Sequence, residues 1–205
     1  VVSLHFKKNG IITMKTKIAV VGIGGVGGYY GGLLAKKYFN HPEFEIYFIA
    51  RGEHLKKIRE NGLKVITENG SFIAHPTLAT DNTSEIGVVD FVILCTKSYD
   101  LNLSIEQIKP CIGNSTIILP LLNGMDISAR IRTLLPANEV WEGCVYIVAR
   151  LNEPGVVESS GGLHDLFFGV QHQKTEKLST FEMWFKEAGI KATLSENIRA
   201  VIWRK

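Results

Sequence analysis

The 205-residue sequence lacks the marks of several protein classes. Its three cysteines, Cys95, Cys111 and Cys144, form no C-x-x-C pair. An odd, scattered set argues against a disulfide framework and suits a reducing compartment, with each thiol a small buried apolar group. The six histidines, His5, His41, His54, His75, His164 and His172, show no H-E-x-x-H spacing and join no zinc-type cluster, so no metal is expected. No apolar run reaches the roughly 18 residues that a bilayer span needs, so no membrane partner is expected. The excess of positive charge is only +3, too small by itself to signal nucleic acid, though a mildly basic surface suits anionic ligands. Internal repeats and low-complexity segments are missing as well. What remains is an ordinary globular composition, 45% hydrophobic and 21% charged. The length fits one domain and part of another. Residues 1–13 lack a continuous apolar stretch, so they are read as an extension outside the fold rather than a signal peptide, with Met14 a plausible start. The expected location is cytoplasmic.

From Lys17 onward, short apolar runs alternate with helical stretches. Residues 17–21 (KIAVV) read as a buried strand, 25–39 as a helix, 44–50 (FEIYFIA) as a second strand and 52–61 as a short charged helix. This is the βαβ pattern of a parallel sheet. Asn69-Gly70 between residues 63–68 and 71–75 signals a hairpin. Further strands are expected at 88–96, 115–119, 141–149, 156–159, 163–169 and 190–194, and helices at 101–108 and 127–135. Leu178, Phe181, Phe185 and Ala188 repeat at helical spacing, with Gly189 as a cap. Ser195 is expected to cap a last helix with Glu196 in its first turn. That helix has no Gly or Pro to end it, so the gene product is expected to continue or to have been trimmed. The fold class expected is α/β: a Rossmann-type doubly wound, mostly parallel sheet over residues 14–194, then at 195–205 the first helix of a truncated α-helical substrate domain.

The run Gly22-Ile23-Gly24-Gly25-Val26-Gly27 is G-x-G-x-x-G. The motif alone is weak, but here it follows an apolar strand and opens a helix. Gly22 permits the tight turn, Gly24 lets backbone approach a pyrophosphate, and Gly27 lets helix and strand pack closely. The helix N-terminus then favours phosphate charge. Gly28, Gly31 and Gly32 weaken the helix and hint at close packing. The competing reading is a glycine-rich turn without a ligand. At the end of the second strand an NAD site usually carries an acid. Arg51 stands there instead and can pair with a 2′-phosphate, so NADP is favoured. A solvated surface arginine is the alternative, and nearby Glu53 keeps NAD in play.

Lys97 and Asn123 follow the strands ending near Thr96 and Leu119, at carboxyl ends where such sheets bind ligands. Lys97 could meet phosphate or ribose, and Asn123 the nicotinamide side or a substrate carbonyl. Taken alone, each is more often an ordinary loop residue, Asn123-Gly124 being a turn signal first. Ile198, Val201, Ile202 and Lys205 share one face of the last helix. From spacing alone, Lys205 reads as snorkelling outward.

The segments KIAVVGIGGVGGYYGGLLA, ARG, CTKSYDL, LLNGMD, GVVESSGG and IWRK together resemble the ketopantoate reductase (2-dehydropantoate 2-reductase) family across nearly all of residues 14–205. The resemblance implies NADPH-dependent reduction of an α-keto acid in pantothenate synthesis. It implies that Gly22, Gly24 and Gly27 form the nucleotide loop, that Arg51 and Lys97 contact NADPH, and that Asn123 lies near nicotinamide and substrate. It implies that Lys205 acts on the substrate carbonyl oxygen, stabilising the growing charge and donating a proton. Ile23, Gly25 and Val26 complete the cofactor loop. A small keto acid is the expected partner, with a homodimer allowed. Leu121-Leu122 stand where the family often has glutamine, which loosens the substrate contacts. The family's helical domain supplies further substrate contacts, so this chain is expected to bind nucleotide better than it turns over substrate. The rival readings are another NAD(P)-dependent keto-acid, opine or sugar-phosphate dehydrogenase, and a non-catalytic NADP-sensing module. A methyltransferase is disfavoured by Arg51.

Overall fold

A computed structural model describes residues 4–7, 10–13, 15–171 and 173–205. Met14 and His172, which figure in the sequence reading, lie outside the described residues. Strands β1 (Leu4–Lys7) and β2 (Gly10–Thr13) pair with each other in a two-stranded sheet. The chain then runs through β3 (Thr16–Val21), α1 (Gly25–Lys37), β4 (Phe44–Ile49), α2 (Gly52–Asn61), β5 (Leu63–Thr67), β6 (Gly70–Ala74), β7 (Leu78–Thr80) and β8 (Val89–Leu94). Next come α3 (Leu101–Ile108), β9 (Ile112–Pro120), α4 (Ile127–Leu134), β10 (Glu139–Val140), β11 (Glu142–Glu153) and β12 (Val156–Gly169). The last elements are α5 (Glu176–Glu187), β13 (Lys191–Leu194) and α6 (Ile198–Trp203).

The first large sheet is wholly parallel, ordered β10-β9-β8-β3-β4-β7. Numbered from β3 in chain order and read from β7, its strands follow 3-2-1-4-5-6, the doubly wound order of dinucleotide folds. The order reverses between β3 and β8, which opens a crevice at their carboxyl ends. Both faces are covered, so strands read as continuous apolar runs. Ile18 and Val20 enter one core while Ala19 and Val21 enter the other. The second core is sealed by Leu101, Ile105 and Ile108 of α3 and Ile127 and Ile131 of α4. The edge strands β7 and β10 escape the sequence reading because three and two residues are too few to show a period.

A second, mixed sheet was not foreseen. The Asn69-Gly70 hairpin forms as expected, with Thr67 opposite Gly70. Its β5 then pairs in parallel with β12, which pairs antiparallel with β11 and parallel with β13. The two strands expected at 156–159 and 163–169 are one strand. Ile147 faces His164 while Val148 faces Ser160, so residues 161–163 loop out as a bulge, with Gly161 at φ +79. Between the two sheets lie α1 and α5. A Cβ on Gly28 would sit 2.5 Å from Val157 Cγ2, and one on Gly32 2.7 Å from Val65 Cγ2. The glycine-rich helix therefore lets the second sheet close onto it. Phe181 and Phe185 of α5 pack with Trp141 and Phe168 in the same core. Thr175 caps α5 by accepting from Leu178 N–H, and Gly189 follows at φ +78.

The last helix needs a correction. Ser195 is not its cap, because its N–H donates to Phe168 O (2.8 Å) and prolongs the β12–β13 pairing. Asn197 caps α6 instead, its Oδ1 accepting from Ala200 N–H at 3.2 Å. The helix ends at Trp203, so Lys205 lies beyond it rather than within it.

Candidate active site

The glycine loop begins where β3 stops. Gly22 turns the chain at φ +84, and a Cβ there would lie 2.8 Å from Thr96 Cγ2. A Cβ on Gly27 would meet Gly22 O at 2.2 Å, which is the close approach of helix to strand that the motif predicts. The Cβ position of Gly24 has nothing within 4 Å, so its outer side is open. Gly24 is also the N-cap of α1, with no side chain capping the helix and no acid in the first turn. The first amides and the positive end of the helix dipole are thus left for an anion. Gly25 has a role that the motif does not announce. A Cβ on it would lie 2.1 Å from Ala149 O, because β11 of the second sheet crosses the loop there.

Of the loop, Gly22, Ile23 and Gly24 form one wall of a cleft of about 480 Å³. Ala50 and Arg51 after β4, and Cys95, Thr96 and Lys97 after β8, form others. Arg51 is exposed and extended at the N-cap of α2, and among the described residues it makes no ion pair. Glu53 lies 3.9 Å from Lys56 and so has a cation of its own. Lys97 stands exposed at the cleft mouth. Burial pushes the Cys95 thiol far above its ordinary range. Cys111 is likewise raised to about 11, chiefly by burial, so neither thiol ionises readily.

Asn123 and Lys205 meet in a second cleft of about 300 Å³, lined also by Gly124, Cys144 and Ile202. Lys205 Nζ donates to Asn123 Oδ1 at 2.6 Å and to the Val145 carbonyl, and stands 5.5 Å from the Tyr146 ring centroid. Lys205 stays exposed, as the outward reading expects, but its ammonium is held by protein acceptors and not by solvent alone. Beyond the helix end, the side chain turns back onto β11 and the loop after β9. Glu142, only 5% exposed, fixes that approach. Its Oε1 takes Arg132 of α4 at 3.5 Å and Arg199 of α6 at 3.4 Å, fastening α6 to β11. Cys144 beside Lys205 is raised by burial and drawn back by the lysine charge.

The structure thus groups the glycine loop with Arg51 and Lys97, and separately brings Lys205 to Asn123. Both groups sit at carboxyl ends of strands in the parallel sheet. Sequence reading missed Val145 and Tyr146, which lie about 60 residues from Lys205 and carry no motif. It also passed over His54, which lines the cleft beside the glycine loop. The described residues contain no group of three metal-ligating side chains, and none of their helices is long and apolar enough to cross a membrane.

Comparison with known proteins identifies the family. Residues 18–173 match the family described as ketopantoate reductase PanE/ApbA. The chain is 30% identical over 190 residues to the uncharacterized oxidoreductase YkpB of Bacillus subtilis (strain 168), covering 92% of this chain and 60% of that protein. The crystal structure of 2-dehydropantoate 2-reductase from Porphyromonas gingivalis W83 superposes with a TM-score of 0.87 at 43% identity, over 92% of this chain and 67% of that one. D-mandelate dehydrogenase in a ternary structure with NADH and anilino(oxo)acetate superposes at 0.78 and 27% identity, over 92% and 60%. The chain spans about three fifths of the curated relative's length. With a family match over most of its length and the doubly wound strand order, this chain belongs to the ketopantoate reductase PanE/ApbA family.

Proposed function

We propose that this chain binds NADPH and serves the reduction of 2-dehydropantoate, or a close keto-acid relative, to the hydroxy acid, as in pantothenate synthesis. The Lys205–Asn123 contact carries the reading. It joins residues 82 apart at the carboxyl edge of the sheet, on the same edge as the open glycine loop. The residues present fit the cofactor. Gly24 leaves space where a Cβ would stand, the α1 amides are free of capping side chains, and Arg51 is a cation without a partner among the described residues.

The cofactor, when bound, supplies the hydride. Gly22 to Gly27 would hold the pyrophosphate, Arg51 the 2′-phosphate, and Lys97 the phosphate or ribose. Asn123 orients Lys205 and the reacting groups by its amide. The Lys205 ammonium meets the substrate carbonyl oxygen, stabilises charge as it grows there, and gives up a proton from Nζ. The residues assigned to these roles are thus Gly22, Ile23, Gly24, Gly25, Val26, Gly27, Arg51 and Lys97 for the cofactor, and Asn123 and Lys205 for catalysis. A second reading, an NADH-dependent dehydrogenase of another 2-keto acid, is favoured by the likeness to D-mandelate dehydrogenase bound to NADH.

Fluorescence titration with NADPH and NADH separates the two. NADPH is expected to bind more tightly, and Arg51→Ala to weaken NADPH by about 10-fold or more while sparing NADH. Equal affinities unaffected by Arg51→Ala would reject the 2′-phosphate assignment.

A further inference from the structure

His54 lies in the first turns of α2, three positions after Arg51, with its ring half-buried. Two hydrogen bonds hold the ring. Gly155 N–H, in the turn between β11 and β12, donates to Nδ1 at 2.9 Å. Because that N–H can only donate, Nδ1 must offer a lone pair, and the ring proton sits on Nε2. Nε2–H then donates to the Ile23 carbonyl at 2.6 Å. One ring therefore joins the glycine loop and the second sheet to α2, across separations of 31 and 101 residues. Ile23 is the residue between the first two glycines of the motif. In a trans peptide the carbonyl and the following N–H point in opposite directions. Holding Ile23 C=O toward α2 thus aims Gly24 N–H away from it, on the glycine whose outer side is open.

A proton added to Nδ1 would set two donors against each other and break the Gly155 bond. Burial, the larger influence, pushes the His54 ring below its ordinary value of 6.5, while the Ile23 carbonyl pulls it upward. The titratable groups that line the cleft with it are Arg51, Cys95, Lys97, Tyr99 and Asp100, and Lys57 of its own helix packs against Gly155. None of them contributes to the shift. The neutral, bridging ring is therefore the form present at neutral pH.

We propose that His54 is a positioning residue for the cofactor loop, bridging Ile23 and Gly155 as the Nε2–H tautomer, and that protonating it loosens the loop and weakens dinucleotide binding. The inference rests on the dinucleotide-binding reading above. Glutamine spaces a donor and an acceptor much as the imidazole does, and it does not titrate in this range.

The test is Kd for NADPH and for NADH between about pH 8 and about pH 5, in the wild type, His54→Gln and His54→Ala. The 2′-phosphate of NADPH titrates near pH 6, as phosphate esters do, so the ratio of wild type to His54→Gln is read at each pH. That ratio is expected to start near one and to rise about 10-fold on acidification, with both nucleotides, as one hydrogen bond is lost. His54→Ala is expected to bind about 10-fold more weakly at high pH, with glutamine restoring the affinity. The amide resonance of Gly155, followed without nucleotide, is expected to titrate in the wild type and to stay fixed in His54→Gln. Parallel curves for wild type and glutamine would overturn the proposal while leaving nucleotide binding intact. A Gly155 amide that does not move would overturn it without any nucleotide. Failure of the wild type to bind either nucleotide at any pH would overturn the underlying reading and the proposal with it.

Discussion

The glycine loop and the Lys205 corner lie on the same edge of the parallel sheet but are assembled by different means. The loop is local. Six consecutive residues after one strand make the turn, expose the amides and open the helix. The corner is assembled from afar: Asn123 from the loop after β9, Val145 from β11 and Lys205 from beyond α6. The loop also depends on the second sheet, since Ala149 of β11 presses on Gly25. Motif chemistry can thus be local while its mechanical support is not.

Paired substitutions in the loop break this comparison most sharply. Gly25→Ala would drive a Cβ to 2.1 Å from the Ala149 carbonyl, a backbone atom that cannot step aside. The expected loss is about 3 kcal/mol, seen as a fall in Tm of roughly 10 °C, with nucleotide binding lost as well. Gly24→Ala meets nothing within 4 Å and should keep the wild-type Tm, yet bind nucleotide far less well because the methyl occupies the phosphate's approach. If both variants kept their Tm, β11 would not be supporting the loop.

At the corner, Lys205→Ala is expected to lower kcat for keto-acid reduction by about 10²- to 10⁴-fold while leaving the Kd for NADPH unchanged. A loss of nucleotide affinity instead would merge the corner with the loop and end the division drawn here. Unchanged turnover would favour a nucleotide-sensing role.

The smallest effect lies inside one strand. Tyr47 Oη–H donates to Glu45 Oε2 at 2.5 Å. That bond, ahead of the opposing burial and of Lys15, holds the Glu45 carboxyl below its ordinary 4.5. A depressed carboxylate lends stability above its unfolded value and loses it as pH falls through the folded one. Tyr47→Phe should therefore lower the unfolding free energy read from urea titration at neutral pH, by under about 1 kcal/mol, and match the wild type once the carboxylate is protonated. A gap of equal size at acid pH would assign the effect to packing instead.

Much of the first sheet was legible in the residues. The elements of the βαβ start and the helix at 101–108, and in the second sheet the Asn-Gly hairpin, stand where pattern and turn chemistry put them, because each signal is complete within a dozen or so residues. The second sheet was not legible as a sheet. Its strands are recognisable singly, but β5 meets β12 at Val65 opposite Val157, a pairing that no local pattern encodes. The same reason explains Ser195, a good cap by composition that is drawn instead into pairing with Phe168.

By itself, the sequence determined the glycine turn, the basic rather than acidic end of the second strand, and the apolar runs that make a doubly wound sheet. These depend on side-chain type and short spacing, which act along a contiguous stretch of chain. Only the tertiary structure decided that α1 lies between two sheets, that Gly25 yields to β11 and that His54 bridges Ile23 and Gly155. It also decided that Lys205, though exposed, reaches back to Asn123. A lysine beyond a helix end has no direction of its own. The acceptors on β9's loop and on β11 supply one, and they come within reach only when the chain has folded.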